Sequence, residues 1–119
     1  MIYEEKIAAV NKYIEAFDKQ DLNLIREIYA DNAVVEDPVG SDKIFKGIDD
    51  ICAFYKASFE VGAKLSLNEQ PRCSGNTVAF AFSVQVGKMC IQPIDVFEFD
   101  EHGKVISMKA YWGPENITQ

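Results

Sequence analysis

The side chains of this sequence that could move protons are carboxyls and phenols. Asp95 stands out. It lies in Met89-Cys-Ile-Gln-Pro-Ile-Asp-Val-Phe-Glu-Phe99, a run that reads as one strand. Alternate residues of a strand share a face, so Asp95 joins Ile91, Phe97 and Phe99, while Gln92 and Glu98 point away. Desolvation among such neighbours disfavours the charged carboxylate and raises its pKa. An acid of this kind stays protonated at neutral pH and donates a hydrogen bond. The alternative is a structural acid satisfied by backbone amides. Asp37 is a second candidate, placed after two β-branched residues and a glutamate and before Pro38. Asp-Pro also occurs at turns, where the side chain caps nearby amides. Tyr13, Tyr29 and Tyr55 each fall on the inner side of a helical pattern. A buried phenol needs a partner, so three converging on one cavity would bond one another; plain core packing is the competing expectation.

Other chemistries lack their residues. His102, the single histidine, sits beside Gly103 among acids and reads as a solvated turn residue. No histidine cluster for a metal and no His-based triad is available. The glycines are scattered, without a phosphate loop. Lys and Arg number 12 against 19 Asp and Glu, for a net charge of −7, which argues against nucleic acid and against an anionic membrane surface. A weakly polar small molecule is the expected partner. The three cysteines, Cys52, Cys73 and Cys90, show no metal-type spacing and read as reduced thiols of a cytoplasmic protein. The charged start, Met1-Ile-Tyr-Glu-Glu-Lys6, has no apolar signal-peptide core.

The 119 residues, 48% of them hydrophobic, suit a single domain, 1–119. The first half reads as helices. Ile7, Val10, Ile14 and Phe17 recur at helical spacing within about Tyr3 to Lys19. Asp21 is an N-cap for a short second helix carrying Leu22, Ile25, Ile28 and Tyr29. A third helix, about Ile48 to Phe59, starts with Asp49 and Asp50, where the helix dipole favours acids. Ala33 to Glu36 is a short strand, and Val39 to Lys46 a loop with room for a little extended structure. The second half reads as strands: Leu65 with Leu67, Val78 to Val86, the Asp95 strand, and Val105 to Trp112. Short turns between them predict an antiparallel meander. Three helices on one side of a curved, mainly antiparallel sheet form an α+β fold with room for a pocket.

Together these residues resemble the ketosteroid isomerases (steroid Δ5-isomerases) of the NTF2-like, SnoaL-like fold group. The stretches that carry the resemblance are Tyr29-Ala-Asp-Asn-Ala-Val-Val-Glu-Asp-Pro-Val-Gly-Ser41, Ala53-Phe-Tyr55, Pro93-Ile-Asp95 and Phe99-Asp-Glu-His-Gly-Lys104 through Ala110-Tyr-Trp112. The Glu36-Asp37-Pro38 motif is shared loosely across the group, and its coincidence with Tyr13 and Asp95 is more specific. The resemblance implies an NTF2-like cone. It implies that Asp37 is the general base, Tyr13 one oxyanion donor and Asp95 a protonated second donor, supported by Tyr29 and Tyr55. Ketosteroid isomerase is itself the standard example of a neutral carboxylic acid in this role. The implied reaction moves a double bond from Δ5 to Δ4 in a 3-oxosteroid by shifting a proton from C4 to C6, with no cofactor or metal. Val39, Phe54, Phe82, Phe97, Met108 and Trp112 are expected to wall an apolar pocket. A homodimer is also implied, with the sheet face bearing Val105, Ser107, Lys109 and Tyr111 as its expected interface. The competing readings are another acid–base enzyme of the same fold, such as a polyketide cyclase or hydratase, and a non-catalytic binding module.

Overall fold

The computed structural model describes all 119 residues. Helix α1 (Tyr3–Lys19) buries Lys6, Val10, Tyr13, Ala16 and Phe17 along one stripe. Its end is closed by Gln20 in the left-handed region, φ 53°. The Gln20 side chain donates to the Phe59 carbonyl at 2.8 Å and ties the end of α1 to the end of the third helix. The Lys6 stem is buried, and its ammonium donates to the Gly75 carbonyl at 2.5 Å. Asp21 caps α2 (Leu22–Ile28) by accepting from Asn23 N at 2.9 Å, satisfying an amide that lacks an intrahelical partner. The chain passes directly into β1 (Tyr29–Glu36), then β2 (Ile44–Lys46) and α3 (Ile48–Glu60).

The remaining strands are β3 (Lys64–Leu67), β4 (Arg72–Ser74), β5 (Thr77–Val86), β6 (Met89–Ile91), β7 (Ile94–Phe99), β8 (Val105–Tyr111) and β9 (Ile117–Thr118). They form one unclosed sheet in the order β2-β1-β8-β7-β5-β6-β9, with β3 and β4 also pairing to β5. Every pairing is antiparallel except β1 with β8. The architecture is therefore α+β, with three helices on a mostly antiparallel sheet. Burial joins them: Phe80, Phe97, Val35, Val78 and Met108 from the sheet meet Val10, Ile25 and Ile51 from the helices in one core. Large aromatic side chains dominate such cores because each removes so much apolar surface from water. No helix is long and apolar enough to cross a membrane.

Three expectations need correction. Tyr29 is the first residue of β1 rather than part of α2; its side chain still turns inward and is 1% exposed. The expected 89–99 strand is two strands, broken at Gln92-Pro93. Proline has no amide hydrogen for a ladder, and Gln92 N donates to Asn116 O instead. The second-half strands β3, β5, β7 and β8 do form the expected antiparallel meander, and β1 lies outside it, parallel to β8. Finally, Val105 does not share a face with Lys109 and Tyr111. Glu98 pairs with Ser107 but Phe99 pairs with Val105. Ile106 is the extra residue of a β-bulge, and such an insertion reverses the side-chain alternation. Val105 is consequently fully buried, while Tyr111 is 48% exposed.

Candidate active site

Four polar side chains from four parts of the chain meet at one buried point. Tyr13 comes from α1, Tyr29 from the start of β1, Tyr55 from α3 and Asp95 from β7. Tyr29 and Tyr55 hydroxyls are 2.5 Å apart. Tyr55 donates to Tyr13 at 3.1 Å, and Tyr13 donates to Asp95 Oδ2 at 3.2 Å. Each phenol has one proton. With the Tyr55 proton directed at Tyr13, Tyr29 must be the donor to Tyr55, so every proton in the chain points towards Asp95. Aromatic packing holds the rings: Tyr13 stands edge-on to Phe97 at 5.2 Å, to Phe17 at 5.3 Å and to Tyr55 at 5.6 Å.

Asp95 is 2% exposed, and burial pushes its carboxyl well above the usual range. The nearby Asp37 charge pushes the same way, against a smaller lowering by the Tyr13 hydrogen bond. Tyr13 is likewise held well above an ordinary phenol, first by burial and then by Asp95. The second Asp95 oxygen makes no protein hydrogen bond. No buried side-chain oxygen lacks a partner, so that oxygen must open to the cavity.

Asp37 follows the last residue of β1. Its amide donates to Lys43 O at 3.0 Å, and Val39 N donates to Ala110 O at 2.8 Å; the intervening Asp37–Pro38 peptide is cis. Trp112, one residue beyond β8, donates its indole N–H to Asp37 Oδ1 at 2.7 Å. Burial raises the Asp37 carboxyl, while the indole bond, favouring the charged form, opposes the rise. Its other oxygen is unbonded. One cavity of about 220 Å³ is lined by Tyr13, Tyr55, Asp37 and Asp95 together with Phe54, Phe82 and Trp112. The Asp37 carboxyl and the Tyr13–Asp95 pair thus face the same space, an arrangement that could take a proton from carbon while stabilising charge on a carbonyl oxygen.

Three of the expected wall residues lie elsewhere. Phe97 and Met108 are fully buried and pair across β7 and β8, so they form the layer behind the wall, against Tyr13 and Phe80. Val39 is 37% exposed and lies outside the cavity, because its main chain is tied to Ala110 beyond the strand end. The wall instead includes Phe17, Ser58, Ala63, Leu65, Val84, Ile91 and Pro93. Some of these carried a signal. Phe17 and Ser58 lie one helical turn after Tyr13 and Phe54, and Val84 shares the parity of Phe82. Pro93 shares the parity of Ile91 and Asp95, and Ala63 had no signal.

The family model for the SnoaL-like domain matches residues 10–108, a span containing every one of these acids and phenols. The chain belongs to the SnoaL-like family. A curated relative, the Steroid Delta-isomerase of Nocardioides simplex, is 37% identical over 115 residues, covering 92% of this chain and 91% of that protein. Among solved structures, the epoxide hydrolase/cyclase-like enzyme SalBIII, described for its role in pyran ring formation in the polyether salinomycin, superposes with a TM-score of 0.88. It is 23% identical and covers 96% of this chain and 95% of its own. That likeness establishes the NTF2-like fold and, at this identity, nothing about chemistry. The isomerase relative supports an isomerase.

Proposed function

We propose that this SnoaL-like protein is a steroid Δ-isomerase that converts 3-oxo-Δ5-steroids into 3-oxo-Δ4-steroids. The observation that carries the reading is the Tyr13–Asp95 pair at 3.2 Å, with a free Asp95 oxygen opening into the cavity that Asp37 also lines. The C4 protons of such a substrate are acidic because they lie between a carbonyl and a double bond. Asp37 takes one through its unbonded oxygen. The C4–H electron pair moves towards the C3 carbonyl and forms a dienolate. Tyr13 and Asp95 both donate to the C3 oxygen, displacing the bond between them. Two donors about 3 Å apart can reach a shared acceptor at ordinary hydrogen-bond distances. Their hold strengthens as charge develops, so it lowers the barrier rather than merely binding substrate; each such donor is worth about 3 kcal/mol. Asp37 then returns the proton to C6, and the atoms balance with nothing consumed.

The Tyr29–Tyr55 pair supplies Tyr13 with a donor of its own. A phenol that accepts a hydrogen bond while donating one is polarised towards donation. Phe54, Phe82 and Trp112 supply apolar surface for a flat hydrocarbon. The cavity lies below the roughly 300–1,000 Å³ of drug-sized sites, so a steroid would fill it, with one end at its mouth. The enzyme is proposed to be cytoplasmic and to work as a homodimer through the sheet face bearing the cross-strand pair Ile94 and Tyr111, both about half exposed. Light scattering gives its mass directly, and a monomer would remove that proposal.

The test is ultraviolet absorbance during incubation with a 3-oxo-Δ5-steroid. Formation of the conjugated Δ4 enone appears as a rising band. A rise that disappears with Asp37→Asn supports both the activity and its base. Steroid binding without any rise would shift the protein to a binding or cyclase role.

A further inference from the structure

Asp95 pairs with Phe80 on β5, and Val84, four residues along the same strand, pairs with both Leu65 and Ile91. Val84, Leu65 and Ile91 line the cavity, as Asp95 does. At roughly 3.3 Å per residue, the cavity runs about 13 Å along β5 from its acid end to its far end. Hydrogen-bonding groups are distributed very unevenly over that length. Tyr13, Tyr55, Asp37, Asp95 and the Trp112 indole are bonded among themselves at the acid end. The one remaining polar side chain of the lining is Ser58. It sits at the far end, because its carbonyl accepts from Ala63 N, immediately before β3 begins at Lys64.

The Ser58 hydroxyl is weakly engaged. Its contact is to the carbonyl of Phe54, one turn back in α3, at 3.4 Å. That distance is at the long edge of a hydrogen bond between oxygens, and a helical serine exchanges such a back-bond readily for a better partner. We infer that Ser58 is a specificity residue that hydrogen-bonds a second oxygen on the ligand, a hydroxyl or ketone about one steroid length from the carbonyl held by Tyr13 and Asp95. The inference rests on the isomerase reading for the orientation of the ligand, with its C3 oxygen at the acid end and its C17 substituent near Ser58. The apolar walls between the two ends tolerate many flat skeletons. The spacing between two oxygens is what the site would measure.

The experiment compares two 3-oxo-Δ5-steroids, one with a ketone at C17 and one with a methylene there, on wild type, Ser58→Ala and Ser58→Thr. The readout is the ratio of kcat/KM for the ketone to that for the deoxy compound, which cancels any loss of folded enzyme. A single neutral hydrogen bond predicts that Ser58→Ala lowers this ratio by about 3- to 10-fold. The change should lie in KM, and Ser58→Thr, which keeps a hydroxyl, should recover most of it. A ratio that stays within 1.5-fold of wild type in Ser58→Ala would overturn the inference and leave the isomerase reading standing. If wild type turns over neither compound, the isomerase reading fails, and the Kd ratio of the two corresponding Δ4 products decides Ser58 by the same criterion.

Discussion

Asp37 and Asp95 face one cavity and share a residue type, yet their surroundings prepare them for opposite work. Asp95 is the second residue of β7, buried near aromatic rings, with a weakly acidic phenol as its protein donor. Asp37 lies beyond a strand end, with an indole N–H at 2.7 Å. Burial raises both carboxyls, but Asp95 rises much further, and the charge on Asp37 adds to its rise. As pH increases, Asp37 therefore ionises first and helps to keep Asp95 neutral. A third acid, Asp100, completes the contrast. It is five residues from Asp95, in an open turn, and accepts from the amides of His102 at 2.8 Å and Lys104 at 3.0 Å. Those bonds, led by the one from Lys104, hold it below the usual range. On the proposed reading, depth and donor type, rather than residue identity, decide which carboxyl is a base, which a donor and which a turn cap.

The largest predicted effect comes from removing the base. Asp37→Asn should lower kcat by at least about 100-fold, measured by the ultraviolet assay. A smaller loss would mean that another group takes the C4 proton. Removing one donor comes next. Tyr13→Phe should cost about 10²–10³ in kcat with little change in steroid Kd. Asp95→Asn should cost less than Asp95→Ala, because the amide still donates to the C3 oxygen; equal losses would make the Asp95 role structural.

Trp112→Phe sharpens the comparison through pH. The indole bond favours ionised Asp37, so its loss should raise the Asp37 pKa and move the acidic limb of the kcat profile to higher pH. The expected loss is several-fold on the acid side and smaller on the alkaline side. A uniform drop at all pH values would indicate a packing defect instead.

Asp95 also predicts a pH dependence of stability. Its folded pKa is raised, so its contribution is complete below the unfolded value of about 3.9. That contribution is lost as pH rises towards the folded pKa, because the native state binds the extra proton. Asp95→Asn cannot ionise. Its stability relative to wild type, from urea unfolding, should therefore increase with pH across that window. A pH-independent difference would place the native pKa near the unfolded one. The smallest effect is expected from Asp100→Ala, which should leave kcat/KM within about twofold while slightly lowering the unfolding temperature, since a surface turn away from the cavity is lost.

Much of this contrast is legible in the residues themselves. Strand parity puts Asp95 with Phe97 and Phe99, and the apolar stripe of α1 leads to Tyr13. The short-range patterns also mark the three helices and most strand positions. What they miss depends on long-range pairing. Nothing local announces that β1 will lie parallel to β8, where Tyr29 pairs with Val105, 76 positions further on, or that Ile106 will be a bulge. Phe97 and Met108 have the inward parity of pocket residues, and only the packing of a second layer separates wall from core. Ser58 follows Phe54 by one helical turn, but only Ala63 and β3 folding back beside it make it part of the wall. Likewise, the Trp112–Asp37 bond joins two strand ends whose proximity follows from that same parallel pairing.

The central claim is that Asp95 is protonated while Asp37 is ionised in the same cavity at neutral pH. Infrared difference spectroscopy tests it directly, using protein with isotopically labelled aspartate and comparing wild type with Asp95→Asn. The account predicts an isotope-sensitive carboxylic-acid C=O band at neutral pH that vanishes in the variant, with the carboxylate bands retained. Loss of a carboxylate band instead, with no protonated C=O band in wild type, would contradict it.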